Sequence, residues 1–156
     1  MGHWRDFNGN PLKIPVEKWI EQQFKMINVP SRLLIGTDSQ VFSNNVKFAT
    51  VVVVHWLGVG GRLIVRTDRV KRLMPMRERL LEEVWRSVEV WYRIQPIAQQ
   101  AKVPIEIHVD INPDPDAASN VVFKEAIGYL KGLGVRYRTK PNAIASTSCA
   151  NWFVQG

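Results

Sequence analysis

Apolar and polar positions alternate between strand and helix periods along the chain. Residues 1–15 are polar and turn-rich and predict an irregular arm. Val16, Trp19, Ile20, Phe24 and Ile27 then recur at spacings of three and four, the mark of an amphipathic helix, with Pro15 where it can begin and Pro30 just past its end. Leu33-Leu34-Ile35 gives way to Gly36-Thr37-Asp38-Ser39-Gln40, which predicts a buried strand over 33–38 whose end delivers Asp38 to a sheet surface. Ser43-Asn44-Asn45 is a turn signal, and strands follow over 46–56 and 62–70. Between them Gly58-Val59-Gly60-Gly61 reads as a hairpin turn, because a dinucleotide loop would open a helix rather than a second strand. From Leu73 the period changes: Leu73, Met76, Leu80, Val84, Val88 and Trp91 hold a helical stripe, predicted to end near Pro96. A strand over 105–111, a turn over 112–115, a helix over 116–133, a short strand over 135–140 and a last helix over 143–153 complete the chain.

Two hairpin links make the first three strands antiparallel, and helical crossovers set the later two parallel to the first. The expected fold class is therefore α/β: a five-stranded mixed sheet, three antiparallel strands then two parallel, flanked by helices and carrying an extra N-terminal helix. The 156 residues suit one domain, with an arm and helix over 1–30 and the core over 31–156.

Composition changes this picture little. Hydrophobic residues make up 46% and charged residues 22%, values of a globular domain. One cysteine, Cys149, excludes an internal disulfide and a thiolate zinc cluster, and with no signal-peptide pattern and no apolar run long enough to span a bilayer it points to the cytoplasm. The net charge of +7 fits a polyanionic partner. Arg62, Arg66, Arg69, Lys71, Arg72, Arg77 and Arg79 concentrate cations from the third strand into the long helix, either as a solvated surface or as a track for a phosphate backbone.

Two strands that each deliver an aspartate, Asp38 and Asp110, suggest a metal site. Glu78, Glu82, Glu83 and Glu89 compete to add a third acid from the long helix. Glu83, seven residues after Met76 and three after Leu80, borders the buried stripe, whereas Glu82 points close to the opposite face. His108 shares a strand face with Asp110 and fits either a structural role or contact with metal or substrate. Ser39 and Gln40 fit either phosphate binding or a turn.

The order of elements, with one aspartate on the first strand and another on the fourth, resembles the ribonuclease H-like fold. More closely, Ile35-Gly36-Thr37-Asp38-Ser39-Gln40, His108-Val109-Asp110 and Lys140-Pro141…Ala150-Asn151 resemble the YkuK-type family of ribonuclease H-like proteins, over nearly the whole chain. The resemblance implies a divalent-metal-dependent nuclease acting on RNA or DNA, in which clustered carboxylates hold two Mg²⁺ or Mn²⁺ ions about 4 Å apart. Carried over, Asp38, Asp110 and Glu83 are the catalytic acids and, with Asn151, the metal ligands. Ser39, Gln40, His108, Arg79 and Lys140 fall to the substrate. Arg79-Leu80-x-x-Glu83 also looks like the family's spacing. The chain departs from active ribonuclease H enzymes in its last helix, where residues 143–156 contain no Asp or Glu and Asn151 stands nearest to the expected acid. A nucleic-acid-binding module with a weakened site, or an oligomeric interaction protein on the same fold, are the alternatives to set against a nuclease.

Overall fold

The computed structural model describes residues 2–110 and 120–139. In chain order the elements are β1 (Trp4–Asp6), α1 (Val16–Met26), β2 (Ser31–Val41), β3 (Val46–Trp56), β4 (Gly60–Val70), α2 (Met76–Ala101), β5 (Ile105–Val109), α3 (Asn120–Leu133) and β6 (Tyr137–Thr139). The sheet has six strands rather than the expected five, in the order β1-β4-β3-β2-β5-β6. The added strand comes from the arm, where Trp4 pairs antiparallel with Arg66 and Asp6 with Ile64 along the outer edge of β4. The N-terminal helix is present as α1, but it is not the first element.

Apolar alternation sorts the sheet into two faces. Leu33, Ile35, Val52, Val54, Ile64 and Ile107 point to one side and pack with Ile20 of α1, Val84, Val88 and Ile94 of α2, and Ala126 and Leu130 of α3. All three described helices therefore lie on one face. Leu34, Ala49, Val51 and Val65 form a separate buried cluster on the other. Gly58 takes φ of +77° in the turn between β3 and β4, a conformation that favours glycine. No helix among the described residues is long and apolar enough to cross a membrane.

Two long strands and one long helix set the frame for the site. β2 pairs antiparallel with β3 from Ser31↔Trp56 to Val41↔Val46, and parallel with β5 from Leu33↔Ile105 to Gly36↔His108. Thus β2 runs three residues past Asp38, which sits inside the strand rather than at its end, while β5 stops at Val109 and leaves Asp110 just beyond it.

Pro96 does not terminate α2, which continues to Ala101. Ile94 and Ala98 on either side of it are buried, whereas Pro96 is exposed, as is Tyr92, whose carbonyl cannot accept a helical bond from a proline nitrogen. Lys102 then closes the helix in the left-handed conformation, φ 56°, with its N–H directed to the carbonyls of Ala98 and Gln99. Restoring the missing N–H by Pro96→Ala is expected to stabilise the fold by about 1–2 kcal/mol, less than the ~3 kcal/mol propensity difference because the proline also restrains the unfolded chain. A urea titration checks this: an unchanged midpoint would mean the helix has already accommodated the proline at no cost.

Candidate functional site

The site lies where β2 and β5 run side by side beneath the first turns of α2. Alternation along β2 sends Thr37 and Ser39 toward the helix layer and Asp38 to the opposite face with Leu34 and Gly36. Thr37 Oγ1 lies 2.8 Å from Ser87 Oγ of α2 and donates to Thr50 Oγ1 of β3 at 3.1 Å. Ser39 Oγ donates to Glu83 Oε2 at 2.5 Å and accepts from Arg79 Nη1 at 3.0 Å. Arg79 Nη1 is also 3.9 Å from Glu83 Oε2. Glu83 and Ser87, four residues apart on α2, thus meet alternate residues of β2, as one helical turn over a pleated strand requires.

Glu83 is buried, and burial pushes its carboxyl well above the ordinary carboxylate value. The negative charge of Asp38 pushes it further, the Ser39 hydroxyl and the Arg79 cation oppose the rise, and Asp110 adds to it. Asp38, 9% exposed, accepts at Oδ1 from the Ser39 backbone N–H at 2.9 Å. Extending the Gly36↔His108 register by two residues sets Asp110 beside Asp38 on the same side. The structure therefore brings the three expected acids into one electrostatic neighbourhood. Asp110, Glu83, Thr37, Ser87 and His108 line a narrow cleft of about 10 Å³, on the scale of a single water molecule.

Among the described residues, no three Asp, Glu, His or Cys side chains converge to hold a metal ion. The physical reason is the strand period: Glu83 stays on the helix side with Ser39, while Asp38 leaves the strand on the other. The donor set nonetheless suits a hard divalent cation, since carboxylate oxygens are its preferred ligands and a cation would favour the ionised form of Glu83 against its burial and the charges of Asp38 and Asp110.

His108 is 2% exposed, and its Nε2 lies 2.9 Å from Glu106 Oε1. Burial lowers its pKa, against the raising influence of the Glu106 bond and charge. The same Glu106 oxygen accepts from Arg138 Nε at 2.9 Å and lies 3.5 Å from Arg32 Nη1. Arg32 Nε in turn donates to His55 Nδ1 at 2.9 Å. The histidine is thus the buried inner end of a polar network that runs outward to the exposed Arg138 and ties β5 to β2, β3 and β6. Gln40 is half-buried near the end of β2. Lys140, Asn151 and Cys149 lie outside the described residues, as do the expected turn over 112–115 and the last helix over 143–153.

Among the described residues, several cations of the run, with Arg86, pair with acids of the chain. Arg66 and Arg86 both sit 3.1 Å from Asp68 Oδ2, all three side chains largely buried, with the Arg86 guanidinium 4.4 Å above the Phe48 ring. Arg72 pairs with Glu78, and Arg77 lies 2.5 Å from Glu125. Most of the run is therefore committed to internal acids. Sequence reasoning missed Asp68, Arg86, Thr37 and Ser87, although the alternation of Thr37 and Ser39 about Asp38 was a readable signal for the polar layer beneath α2.

Sheet order, crossover directions and the paired acids on β2 and β5 define the class. The chain belongs to the ribonuclease H-like family: the family model described as "Ribonuclease H-like" matches residues 16–155. It is also similar to "Uncharacterized protein YkuK" of Bacillus subtilis (strain 168), 26% identical over 137 residues that cover 79% of this chain and 78% of that protein, in keeping with a YkuK-type member of the family. No solved structure gives a significant match.

Proposed function

We propose that the protein is a divalent-metal-dependent nuclease that hydrolyses phosphodiester bonds in RNA or DNA. The observation that carries this reading is the buried Glu83, whose proton affinity is raised by its burial and by the charges of Asp38 and Asp110 in a family whose fold is ribonuclease H-like. In this reading Asp38 and Asp110 hold Mg²⁺ or Mn²⁺, with Glu83 and Asn151 completing the ligand set. A metal held there would supply activation of the attacking water and stabilisation of the leaving oxygen. Ser39 and Arg79 hold the Glu83 carboxyl in place, Gln40 and Lys140 contact the substrate, and His108 keeps β5 in register beneath Asp110. In this reading the protein acts in the cytoplasm.

One observation favours a second reading, a nucleic-acid-binding module with a weakened site: no three acids converge among the described residues, and residues 143–156 supply no further carboxylate. An interaction protein that self-associates is a third, and it draws on the exposed Trp85 and Tyr129, whose rings lie 6.4 Å apart on α2 and α3. Labelled single strands, duplexes and hybrids of RNA and DNA, incubated with magnesium or manganese, separate the three. Cleavage that vanishes in Asp38→Asn is the expected result, since a contaminating nuclease would survive that substitution. Binding without cleavage selects the second reading, and neither selects the third.

A further inference from the structure

Beyond Asp38 on the same side of the sheet lies a row in which Gln40 alone has been given a role above. In the register of β2, β3 and β4, Gln40 faces Lys47 and Lys47 faces Arg69, one step outward from the row Asp38, Ala49 and Thr67. Alternation therefore puts Gln40, Lys47 and Arg69 on the face of Asp38, about 7 Å further along the strands. The hairpin between β2 and β3 folds over this row. Arg69 Nη1 donates to Asn45 Oδ1 at 2.8 Å, and its guanidinium lies 5.0 Å from the ring centroid of Phe42, a side chain 36% exposed.

The row sets two like charges side by side. Lys47 and Arg69 are direct cross-strand partners, and like charges at such positions destabilise a sheet. Burial lowers the proton affinity of Lys47, and the Arg69 cation lowers it further. The contrast is with Arg66, Arg72, Arg77 and Arg86, each paired with a carboxylate, whereas the partners of Arg69 among the described residues are a neutral amide and a ring. Two adjacent cations beside an exposed aromatic ring match a polynucleotide, with phosphate against the cations and a base against the ring. A ring can stack only on an unpaired base, so the match is to a single strand.

We propose that Gln40, Lys47, Arg69 and Phe42 form a track that seats a single-stranded polynucleotide and leads its next phosphodiester to Asp38. The inference rests on the nuclease reading and specifies its substrate as single-stranded.

The test measures fluorescence anisotropy of labelled oligouridylate and oligothymidylate without divalent metal, beside a blunt duplex of equal length. The unmodified protein is expected to prefer the single strands. Lys47→Gln and Arg69→Gln should each weaken binding and lower the log–log salt slope by about 0.7, and Phe42→Ala should weaken it about fivefold or more. Thermal melts should show Lys47→Gln and Arg69→Gln at least as stable as the parent, because the like-charge pair is gone. Undiminished affinity in all three variants, equal affinity for duplex, or no binding by the parent overturns the track. The parent's response to manganese is read alongside: if that response persists when the track fails, the metal-site reading stands, and if it is absent too, both fall.

Discussion

Manganese at a hundredfold excess over its dissociation constant is expected to stabilise the folded chain by about 2.7 kcal/mol, and Asp38→Asn or Asp110→Asn is expected to abolish that gain. For a chain of this size the rise corresponds to roughly 5–10 °C in Tm. The argument is electrostatic. Burial first, and then the charges of Asp38 and Asp110, raise the proton affinity of Glu83, so all three acids ionised together would be an excess of negative charge in this site. A divalent ion that binds the folded state alone relieves that excess and shifts the unfolding equilibrium by mass action. Each Asp→Asn substitution removes a ligand and a repelling charge together. The variants should consequently melt at or above the unmodified protein without metal, yet fail to rise when manganese is added. Because Asn151 contributes no charge to the expected ligand set, millimolar metal should be needed. An unmodified protein that ignores manganese, or variants that respond as it does, would remove the two-acid site from this fold.

The residues that were readable in the sequence are those whose neighbours along the chain determine their environment. Leu33-Leu34-Ile35 and Val51–Val54 could only be buried strand, and the stripe from Leu80 to Trp91 could only be helix, so β2, β3, α2 and the parallel pairing of β2 with β5 follow from local pattern and crossover rules. β1 was not readable. Trp4–Asp6 is too short to show a period, and it becomes a strand only because the edge of β4 offers hydrogen-bond partners some sixty residues away in sequence. Pro96 misled for a related reason: its place on the exposed side of a long packed helix is a tertiary property. The acids divide in the same way. Asp38 and Asp110 stood out as carboxylates on apolar strands and Glu83 by helical phase, whereas the pairing of Arg66 and Arg86 with Asp68 joins β4 to α2 and leaves no trace in spacing.

Glu83→Gln is expected to remove most of a pH dependence that the unmodified protein shows above the ordinary carboxyl range. The folded-state pKa of Glu83 is raised well above the ordinary carboxyl value of 4.5, first by burial and then by the charge of Asp38. Between those two values the folded state holds a proton that the unfolded state has released, so stability falls as pH rises. The contribution of the protonated form is complete below the ordinary value and is lost as pH climbs through the raised one, at up to about 1.4 kcal/mol per pH unit inside that window. Glutamine keeps an oxygen within reach of the Ser39 hydroxyl and never ionises, so its stability curve should stay level where that of the unmodified protein declines. The two curves should converge toward low pH and separate toward high pH. Manganese acts in the opposite sense, because a cation favours the ionised carboxylate; the metal-induced rise in Tm should therefore grow with pH in the unmodified protein and stay smaller in Glu83→Gln. Urea titrations from about pH 5 upward, with and without manganese, read both effects. Parallel curves for the two proteins would show that Glu83 does not change its protonation on unfolding, and a manganese response equal in both would remove it from the metal site.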